Sequence, residues 1–340
     1  MNALPRDALE PRDQLGRALR DLRVSVIETC NFRCPYCMPE DSTPPGESLG
    51  RAGRLDFDEI ETAVRAFARL GVSKLRLTGG EPLLRKDLPE LVARLARVPG
   101  ITDLALTTNG ALLAGQARAL REAGLHRLTV SLDALDPVLF RELTGGRGEL
   151  AAVLEGIAAA EAAGFGSLKI NCVVQRGINE SQVLALAGHF RGTPHVLRFI
   201  EFMDVGTCNR WQQASVVPSR ELRDRIHARW PLQPLQAAYR GEVARRHAYA
   251  DGGGEVGFVS SVSAPFCGDC HRARLSADGQ LFTCLFAAQG RPLREIIASG
   301  EEALTDHLRE AWQARADRYS EERASRTGSG RRIEMYFIGG

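Results

Sequence analysis

Six of the eight cysteines fall into two groups of three whose spacing suits metal binding better than disulfide bonds. The first group has the spacing C-x3-C-x2-C, and the second has C-x2-C-x13-C. Structural zinc sites close with four protein ligands, whereas three thiolates on a cubane iron–sulfur cluster leave one iron without a protein ligand. That iron is free to bind a small molecule directly. The predicted cluster ligands are Cys30, Cys34 and Cys37 in the first group and Cys267, Cys270 and Cys284 in the second.

Two alternatives stay open for the second group. The stretch from Cys267 to His271 matches C-x-x-C-H, the attachment pattern of c-type haem, although covalent haem attachment normally belongs to exported proteins. A zinc ribbon would pool the three cysteines with His271. The remaining cysteines, Cys172 and Cys208, are interpreted as buried or incidental.

Composition narrows the class of protein. The chain has 340 residues, of which 44% are hydrophobic and 25% charged, and these fractions match globular averages. It has no apolar run of membrane-spanning length, and its first twenty residues lack the apolar core of an export signal. We therefore expect a cytoplasmic protein, whose thiols are kept reduced. The net charge of +2 argues against a nucleic-acid-binding protein.

The elements that position these cysteines follow a repeated strand, loop, helix pattern. Helical periodicity lies between the strands, and Asp56 with Glu59 predicts a capping box. A parallel sheet follows, either doubly wound or closed towards a (β/α) barrel. The pattern fades after about residue 205. The predicted strands span 22–28, 73–78, 102–107, 127–132, 168–174 and 196–202.

Side-chain alternation in these strands favours the barrel. In the second strand Leu75 and Leu77 share one face, while Lys74 and Arg76 share the other. Three further strands divide in the same way, which predicts a polar interior instead of a sheet that is apolar on both faces. Only three of the 44 basic residues are lysines, and two of these, Lys74 and Lys169, lie on this polar face. The interior is therefore predicted to bind an anion.

The loops after the strands should carry the chemistry, because ligands of parallel β/α folds lie beyond the carboxyl ends of the strands. The first loop carries the first cysteine group. Gly79 and Gly80 in the second loop would let the backbone approach a ligand closely, although a plain structural turn explains them equally well. The later loops read "TTNG", "SLDA" and "EFMD".

At this point the motifs resemble a known family. A C-x3-C-x2-C triplet with Tyr36 before its last cysteine, followed by "GGEP", is similar to the radical S-adenosylmethionine superfamily. The finer resemblance is to the GTP 3′,8-cyclase family and runs from about Asp21 to the last residue. It is carried by "LRVS", "CNFRCPYCMP", "KLRLTGGEPLLR", "TTNG", "SLDA", "LKIN", "RFIEFMDVG", "FCGDCHRARLSADGQLFTCLF" and the terminal "IGG".

The resemblance implies a fold, two cofactors and a reaction. The fold would be an incomplete (β/α)6 TIM-like barrel whose mouth is closed by a C-terminal cluster-binding extension. Two 4Fe-4S clusters would be bound, the first with S-adenosylmethionine on its free iron and the second with the guanine edge of GTP. The deoxyadenosyl radical would take a hydrogen from C3′ of the ribose, and the sugar radical would attack C8 of guanine. This is the first step of molybdenum cofactor biosynthesis.

The resemblance also implies roles for individual residues. The C-terminal di-glycine would thread towards the site and be needed for catalysis. Two departures are noted: Glu28-Thr29 stand where the family commonly has Asp-Arg, and His271 stands where asparagine is common. The positions implied are Tyr36, Gly80, Ser131 and Met203 for S-adenosylmethionine; Arg23, Arg76, Thr107, Lys169, Arg272 and Arg274 for GTP, with Lys74 and Arg198 as further anion contacts; and Gly339 and Gly340 for the tail. Strand alternation sets Arg198 and Met203 on opposite faces unless the strand ends or bulges between them.

The implied partners are a downstream cyclic pyranopterin monophosphate synthase and a reductant such as flavodoxin or ferredoxin, with no nucleic acid or membrane, and the chain would be a monomer or homodimer. We expect an N-terminal extension at 1–20, the partial barrel at 21–240 and a C-terminal substrate-cluster region with a flexible tail at 241–340. A different radical enzyme that modifies a peptide and a zinc-stabilised binding module are the competing hypotheses.

Overall fold

The computed structural model describes residues 10–39, 49–323 and 332–339 of the 340. Within these ranges no helix combines the length and the apolar character needed to cross a bilayer. The strands are β1 Asp21–Ser25, β2 Lys74–Thr78, β3 Asp103–Thr108, β4 Arg127–Ser131, β5 Lys169–Val174, β6 Val196–Glu201, β7 Leu232–Pro234, β8 Arg245–Tyr249, β9 Glu255–Val259, β10 Arg272–Leu275, β11 Gln280–Phe282 and β12 Arg291–Pro292.

In the described residues, helices alternate with the first six strands along the chain, and further helices follow after β6. They are α1 Gly50–Gly53, α2 Phe57–Arg69, α3 Leu88–Leu95, α4 Ala117–Glu122, α5 Pro137–Leu143, α6 Leu150–Ala162, α7 Val183–Phe190, α8 Ser219–Arg229, α9 Arg294–Ala298, α10 Glu301–Gln313, α11 Tyr319–Glu322 and α12 Met335–Ile338.

The six predicted strands are present and pair in parallel in chain order from β1 to β6. β1 ends at Ser25, three residues earlier than predicted, because the chain then turns into the first cysteine loop. Beyond the strand ends, the loop after β2 donates backbone hydrogen bonds to the loop after β1: Gly80 N donates to Ile27 O, and Glu81 N donates to Thr29 O. The cysteine loop and the "GGEP" loop are therefore held together as one unit.

Two further parallel strands, which the sequence pattern did not predict, extend this sheet at both edges. β10 pairs with β1, and β9 pairs with β6. Antiparallel strands then complete the order β12-β11-β10-β1-β2-β3-β4-β5-β6-β9-β8-β7. The C-terminal part thus lengthens the incomplete barrel on two sides, and the loop between β9 and β10 carries Cys267 and Cys270.

The hydrophobic core lies between the outer face of the sheet and the helices. α2 begins at the predicted capping box, in which Asp56 accepts from Glu59 N and the Glu59 side chain accepts from Asp56 N. Its apolar face is buried, as are Leu75 and Leu77 of β2. Full burial of a leucine side chain contributes roughly 1.5–3 kcal/mol. Apolar residues such as Leu75 and Leu77 thereby pack against the helices, whereas Arg23 and Arg76 face the inside.

Candidate active site

The inner face of the sheet lines a cavity that is partly open to solvent; the space between its side chains, open solvent included, is about 1510 Å³. Its wall is rich in basic side chains and includes the second cysteine triplet. The predicted residues that line it are Arg23, Lys74, Arg76, Thr107, Lys169, Arg198, Met203, Arg272, Arg274, Cys267, Cys270 and Cys284. The wall does not include Cys30, Cys34, Cys37, Tyr36, Gly80, Ser131 or Gly339, which belong to the loops and strand ends around it.

Parallel pairing in register brings the basic residues together. Arg23 of β1 is aligned with Arg76 of β2 on one side and with Arg274 of β10 on the other. Aligned residues of neighbouring strands face the same side of a sheet, so three guanidinium groups from three strands meet inside the cavity. Further round the wall, Lys169 and Arg198 extend the row.

Polar neighbours orient two of these guanidinium groups without neutralising them. Arg76 Nη1 donates to the hydroxyls of Thr107 and Thr129, both at 3.0 Å. Arg198 donates to Asn171 Oδ1 from Nε at 3.0 Å and from Nη2 at 2.7 Å. These partners carry no negative charge, so they leave the positive charges of Arg76 and Arg198 available to an anion.

The pKa values of the basic residues record this excess of positive charge. Burial, followed by the neighbouring Arg198 and Arg127, lowers the pKa of Lys169 to about 7. Burial and Arg76 lower the pKa of Arg198 to about 9. Arg23 Nε is buried with no hydrogen-bond partner among the described residues. A bound polyanion would accept a hydrogen bond from the unpaired donor of Arg23 and would offset the repulsion among the buried basic groups.

Lys74 is directed differently from the other basic residues. Its ammonium group lies 3.2 Å from the centre of the Tyr239 ring, a cation–π contact at the cavity wall. The tyrosine side chain is exposed. A ligand that reaches Lys74 must therefore displace this ring or extend past it.

The first cysteine triplet fits three-thiolate ligation. None of its three thiols forms a disulfide bond. Phe32 N donates to the Cys30 sulfur at 3.4 Å, and Asn109 Nδ2 lies 3.8 Å from the same atom. Donors directed at a ligand sulfur are typical of iron–sulfur sites. Burial raises the pKa of Cys30 to about 11 and the pKa of Cys34 and Cys37 further, so a metal must supply the charge that holds these groups as thiolates.

Gly79 and Gly80 let the "GGEP" loop pack against this cysteine loop. A Cβ atom at Gly80 would lie 2.2 Å from the carbonyl oxygen of Thr29, and one at Gly79 would lie 2.3 Å from that of Ile27. No side chain fits at such distances. The close approach is thus between two loops of the chain, which holds the first triplet in place.

In the second triplet, the thiol of Cys270 favours its charged form even without a metal. Burial opposes the thiolate of Cys270, but Arg272 and Arg315 outweigh it and lower the pKa to about 6. Arg272 Nη2 and Arg315 Nη2 each lie 3.3 Å from this sulfur. Burial raises the pKa of Cys284 to about 11. The donor set of three free thiols with two guanidinium groups fits a negatively charged iron–sulfur ligand shell.

In the described ranges no three His, Cys, Asp or Glu side chains are arranged to hold a single metal ion such as zinc. His271, the fourth ligand of the zinc alternative, has its Nδ1 atom 3.1 Å from the carbonyl oxygen of Asp269. The backbone carbonyl of His271 accepts from Arg20 N and Asp21 N, which fixes the loop beside β1.

The C-terminal tail reaches the same site. Arg274, buried in the cavity wall, donates to the carbonyl oxygen of Gly339. Gly339 has φ +71, and a Cβ atom there would lie 2.1 Å from Cγ2 of Thr78 at the end of β2. The tail thus contacts the two strands that flank β1, through Arg274 of β10 and Thr78 of β2. Gly340 lies outside the described residues.

The loop after β6 holds this tail. Asp204 accepts from Arg323 Nε at 2.9 Å, from Arg332 Nη1 at 2.9 Å and from the hydroxyl of Tyr319 at 2.5 Å. Glu334 Oε1 accepts from Thr207 N at 2.9 Å. Arg323 and Arg332 precede and follow the undescribed residues 324–331, so a single carboxylate fixes both flanks of that segment.

Arg198 and Met203 both line the cavity, although strand alternation alone separates them. β6 ends at Glu201, so Met203 lies in the following loop and is released from the alternation.

Two regions of the chain match known protein families. Residues 24–189 match the Radical SAM superfamily, and residues 195–321 match Molybdenum Cofactor Synthesis C. A GTP 3′,8-cyclase of Xanthomonas campestris pv. campestris (strain B100) is 68% identical over 329 residues and covers 97% of both chains. The chain belongs to the GTP 3′,8-cyclase family. A cyclase of Acidothermus cellulolyticus is 52% identical, covering 92% of this chain and 88% of that one, and one of Staphylococcus aureus (strain MRSA252) is 43% identical, covering 97% and 98%.

A solved structure supports the fold class of this cyclase family member. Streptococcus suis SuiB bound to its precursor peptide SuiA aligns with a TM-score of 0.61 at 14% identity, covering 92% of this chain and 68% of that one. At this identity the likeness concerns the fold alone. The predicted fold class, radical S-adenosylmethionine enzyme class and cofactor set are confirmed by the family assignment. The roles of individual site residues and the three-part domain division stay predictions.

Sequence reasoning missed two buried carboxylates of the cyclase site. Glu81 accepts from Thr108 Oγ1 and Asn109 N, both at 2.7 Å, and burial raises its pKa to about 7. Asp133 accepts from the hydroxyl of Tyr36 at 2.7 Å, and burial raises its pKa to about 6. Both were within reach of sequence reasoning, because they belong to the strand-end motifs "GGEP" and "SLDA".

Proposed function

We propose that this protein converts GTP to (8S)-3′,8-cyclo-7,8-dihydroguanosine 5′-triphosphate, the first step of molybdenum cofactor biosynthesis, in the basic cavity inside the sheet. The observation that carries the proposal is the row of basic side chains on adjacent strands, oriented by neutral partners and lined up beside the second cysteine triplet. A triphosphate suits such a row, because guanidinium groups give forked contacts to phosphate oxygens and lysine gives a point charge.

The first triplet, Cys30, Cys34 and Cys37, would hold the cluster that binds S-adenosylmethionine. When bound, these two groups together supply a carbon-centred radical able to remove a hydrogen atom from the ribose. The chain's own contribution is placement. Tyr36 is fixed by its hydrogen bond to Asp133, and the backbone pairing of the "GGEP" loop keeps the cysteine loop in position. Together with Gly80, Ser131 and Met203, Tyr36 would contact S-adenosylmethionine.

The substrate would be held from both ends. Cys267, Cys270 and Cys284 would ligate the second cluster, which would supply an open iron as an acceptor for the guanine base. Arg23, Arg76, Thr107 and Lys169 would bind the triphosphate and ribose, with Lys74 and Arg198 as further anion contacts. Arg272 would stabilise the Cys270 thiolate, which its guanidinium contacts. Holding the base and the phosphates at separate points fixes the ribose between them and lowers the entropic cost of the reaction.

The tail would complete the site. Gly339 is bound by Arg274 and lies against Thr78. At this position it would limit the access of water to the strand ends where the reaction would take place. Gly340 would extend this contact. The tail would also orient Arg274 towards the substrate instead of towards solvent.

The implied partners belong to the same proposal. The cyclised product would pass to a cyclic pyranopterin monophosphate synthase, and a flavodoxin or ferredoxin would reduce the first cluster by one electron. The protein would act in the cytoplasm as a monomer or homodimer.

Anaerobic turnover of the iron- and sulfide-reconstituted protein tests the function. Dithionite and S-adenosylmethionine are supplied with GTP, with ATP or with no nucleotide, and 5′-deoxyadenosine is followed together with nucleotide consumption. We expect GTP alone to stimulate 5′-deoxyadenosine formation and to be consumed with it. Equal formation without GTP would contradict the substrate assignment, and zinc in place of iron would contradict the cofactor assignment.

A further inference from the structure

A buried group of charges joins the N-terminal segment to the second cysteine triplet. Asp13 Oδ2 lies 2.6 Å from Arg17 Nε and 3.4 Å from Arg315 Nη1. The exposed fraction of these side chains is 0% for Asp13, 3% for Arg17 and 2% for Arg315. Removing three charges from water is costly unless their mutual contacts compensate for the lost hydration, so this group differs from an incidental surface ion pair.

Each of the two guanidinium groups also has a donor directed at the triplet, although Arg17 Nη1 donates to the carbonyl oxygen of Asp317 as well and Arg17 Nη2 has no hydrogen-bond partner among the described residues. Arg17 Nη1 donates to the carbonyl oxygen of Cys267 at 2.8 Å. Arg315 Nη1 donates to the carbonyl oxygen of Cys270 at 2.8 Å, and its Nη2 lies 3.3 Å from the Cys270 sulfur. Arg315 therefore contacts both the backbone and the ligand atom of one cysteine.

Asp317 connects the same group of charges to the segment that carries Cys284. Asp317 Oδ2 accepts from Arg315 Nε at 3.2 Å and from the hydroxyl of Thr283 at 2.6 Å. Thr283 directly precedes Cys284. All three cysteines are thus connected to one group of side chains contributed by residues 13–17 and 315–317.

The charges of the group decide its effect on the sulfur. The two arginines are balanced in charge by Asp13 and Asp317, but the hydrogen bonds that reach the Cys270 sulfur come from the guanidinium groups of Arg272 and Arg315. Hydrogen bonds to a ligand sulfur withdraw electron density from an iron–sulfur cluster and raise its reduction potential. The same withdrawal makes an open iron a stronger acceptor for a neutral base edge.

We infer that Arg315 and Arg17, held by Asp13, are positioning residues that shape the second triplet and raise the reduction potential of the cluster bound there. The inference rests on the proposed function, because it requires a cluster on Cys267, Cys270 and Cys284. It gives the residues before β1 a role in the substrate-binding cluster site.

The test isolates the second cluster. In the full-length chain Cys30, Cys34 and Cys37 are replaced by alanine, iron and sulfide are reconstituted anaerobically, and the midpoint potential is measured by a redox titration followed by electron paramagnetic resonance. We expect Arg315→Gln to lower the midpoint potential and Arg17→Gln to lower it less, because Arg17 contacts a carbonyl oxygen and not the sulfur. Arg309→Gln on α10 is the matched control, a half-exposed arginine paired only with Asp306 in the described structure, and should leave the potential unchanged.

The outcomes separate the two proposals. Absence of iron from the triple-alanine chain would overturn the second cluster and therefore the proposed function. A cluster whose potential is the same in the parent, Arg315→Gln and Arg17→Gln chains would overturn the inference alone. If Arg315→Gln fails to fold or to hold iron, Arg315→Lys decides: it keeps the charge but loses the fork, so we expect a smaller decrease, and an unchanged potential would overturn the inference.

Discussion

Arg274 of β10 and Gly339 near the C-terminus are joined by a hydrogen bond from the guanidinium group to the glycine carbonyl inside the protein. The residues are 65 positions apart, and Arg274 is buried. Because Arg274 also lines the basic cavity, this contact couples the position of the tail to the wall that would bind the triphosphate.

Gly339→Ala should remove the tail from this position. Its Cβ would lie 2.1 Å from Thr78 Cγ2, and the residue has φ +71, so the substitution forces the tail away. We expect GTP-dependent turnover to fall by about tenfold to hundredfold, because displacement by about 1 Å near a reacting centre has effects of this size. The iron content should not change. Gly300→Ala is the matched control, since φ is +103 there but no atom lies within 4 Å of the Cβ position. Equal losses in both variants would contradict the prediction.

Arg76→Lys should weaken GTP binding while it preserves the charge. Lysine cannot reproduce the donation to Thr107 and Thr129 together with a forked phosphate contact. Hydrogen bonds to charged groups contribute about 1.5–3 kcal/mol, which predicts an increase in the GTP dissociation constant of about tenfold to hundredfold. Equilibrium binding of GTP to the reconstituted protein measures this. Arg97→Lys, at an exposed position, is the control and should leave the dissociation constant unchanged. An unchanged dissociation constant in Arg76→Lys would show that Arg76 does not contribute to GTP binding.

GTP binding should weaken as the pH rises above about 7. Burial and neighbouring arginines lower the pKa of Lys169 to about 7, from an ordinary value of 10.5, so the free protein carries this charge only below that pH. A bound triphosphate favours the charged form and raises the pKa again, so binding above pH 7 takes up a proton. The affinity should fall by up to about tenfold per pH unit until the pKa of the complex is reached.

Lys169→Met separates this effect from the titration of the nucleotide itself. Protonation of the γ-phosphate affects GTP binding equally in both proteins, whereas the charge of Lys169 contributes to binding only in the parent chain. The dissociation constants of the two should therefore differ most near pH 6.5 and converge towards pH 8.5. Parallel pH profiles would show that Lys169 does not titrate against the ligand.

Cys284→Ala should remove about half of the bound iron and sulfide, because each three-cysteine group would hold one four-iron cluster. Cys208→Ala is the control: its thiol lies 3.5 Å from the carbonyl oxygen of Cys37 but belongs to neither triplet, so iron content should be maintained. Metal analysis of the two purified, reconstituted variants gives the comparison. Full iron content in Cys284→Ala would exclude this cysteine as a ligand.

The sequence by itself determined the features that depend on local periodicity. Alternation in a strand has a period of two residues, so Leu75 and Leu77 had to face the helices and Arg76 the interior once β2 existed. The cysteine spacings and the capping box at Asp56 are local in the same sense, and each was predicted from a few neighbouring residues.

Only the tertiary structure decided which distant segments meet. Asp13 and Arg315 are 302 positions apart, and no local pattern indicates that they share a buried charge group at the second triplet. β9 and β10 extend the sheet at opposite edges although they are neighbours in sequence. Gly79 and Gly80 were open to interpretation as a turn until the backbone at Ile27 and Thr29 was seen to fill the space where side chains would lie. Such contacts depend on which surfaces remain after the core has packed, and that is a property of the whole chain.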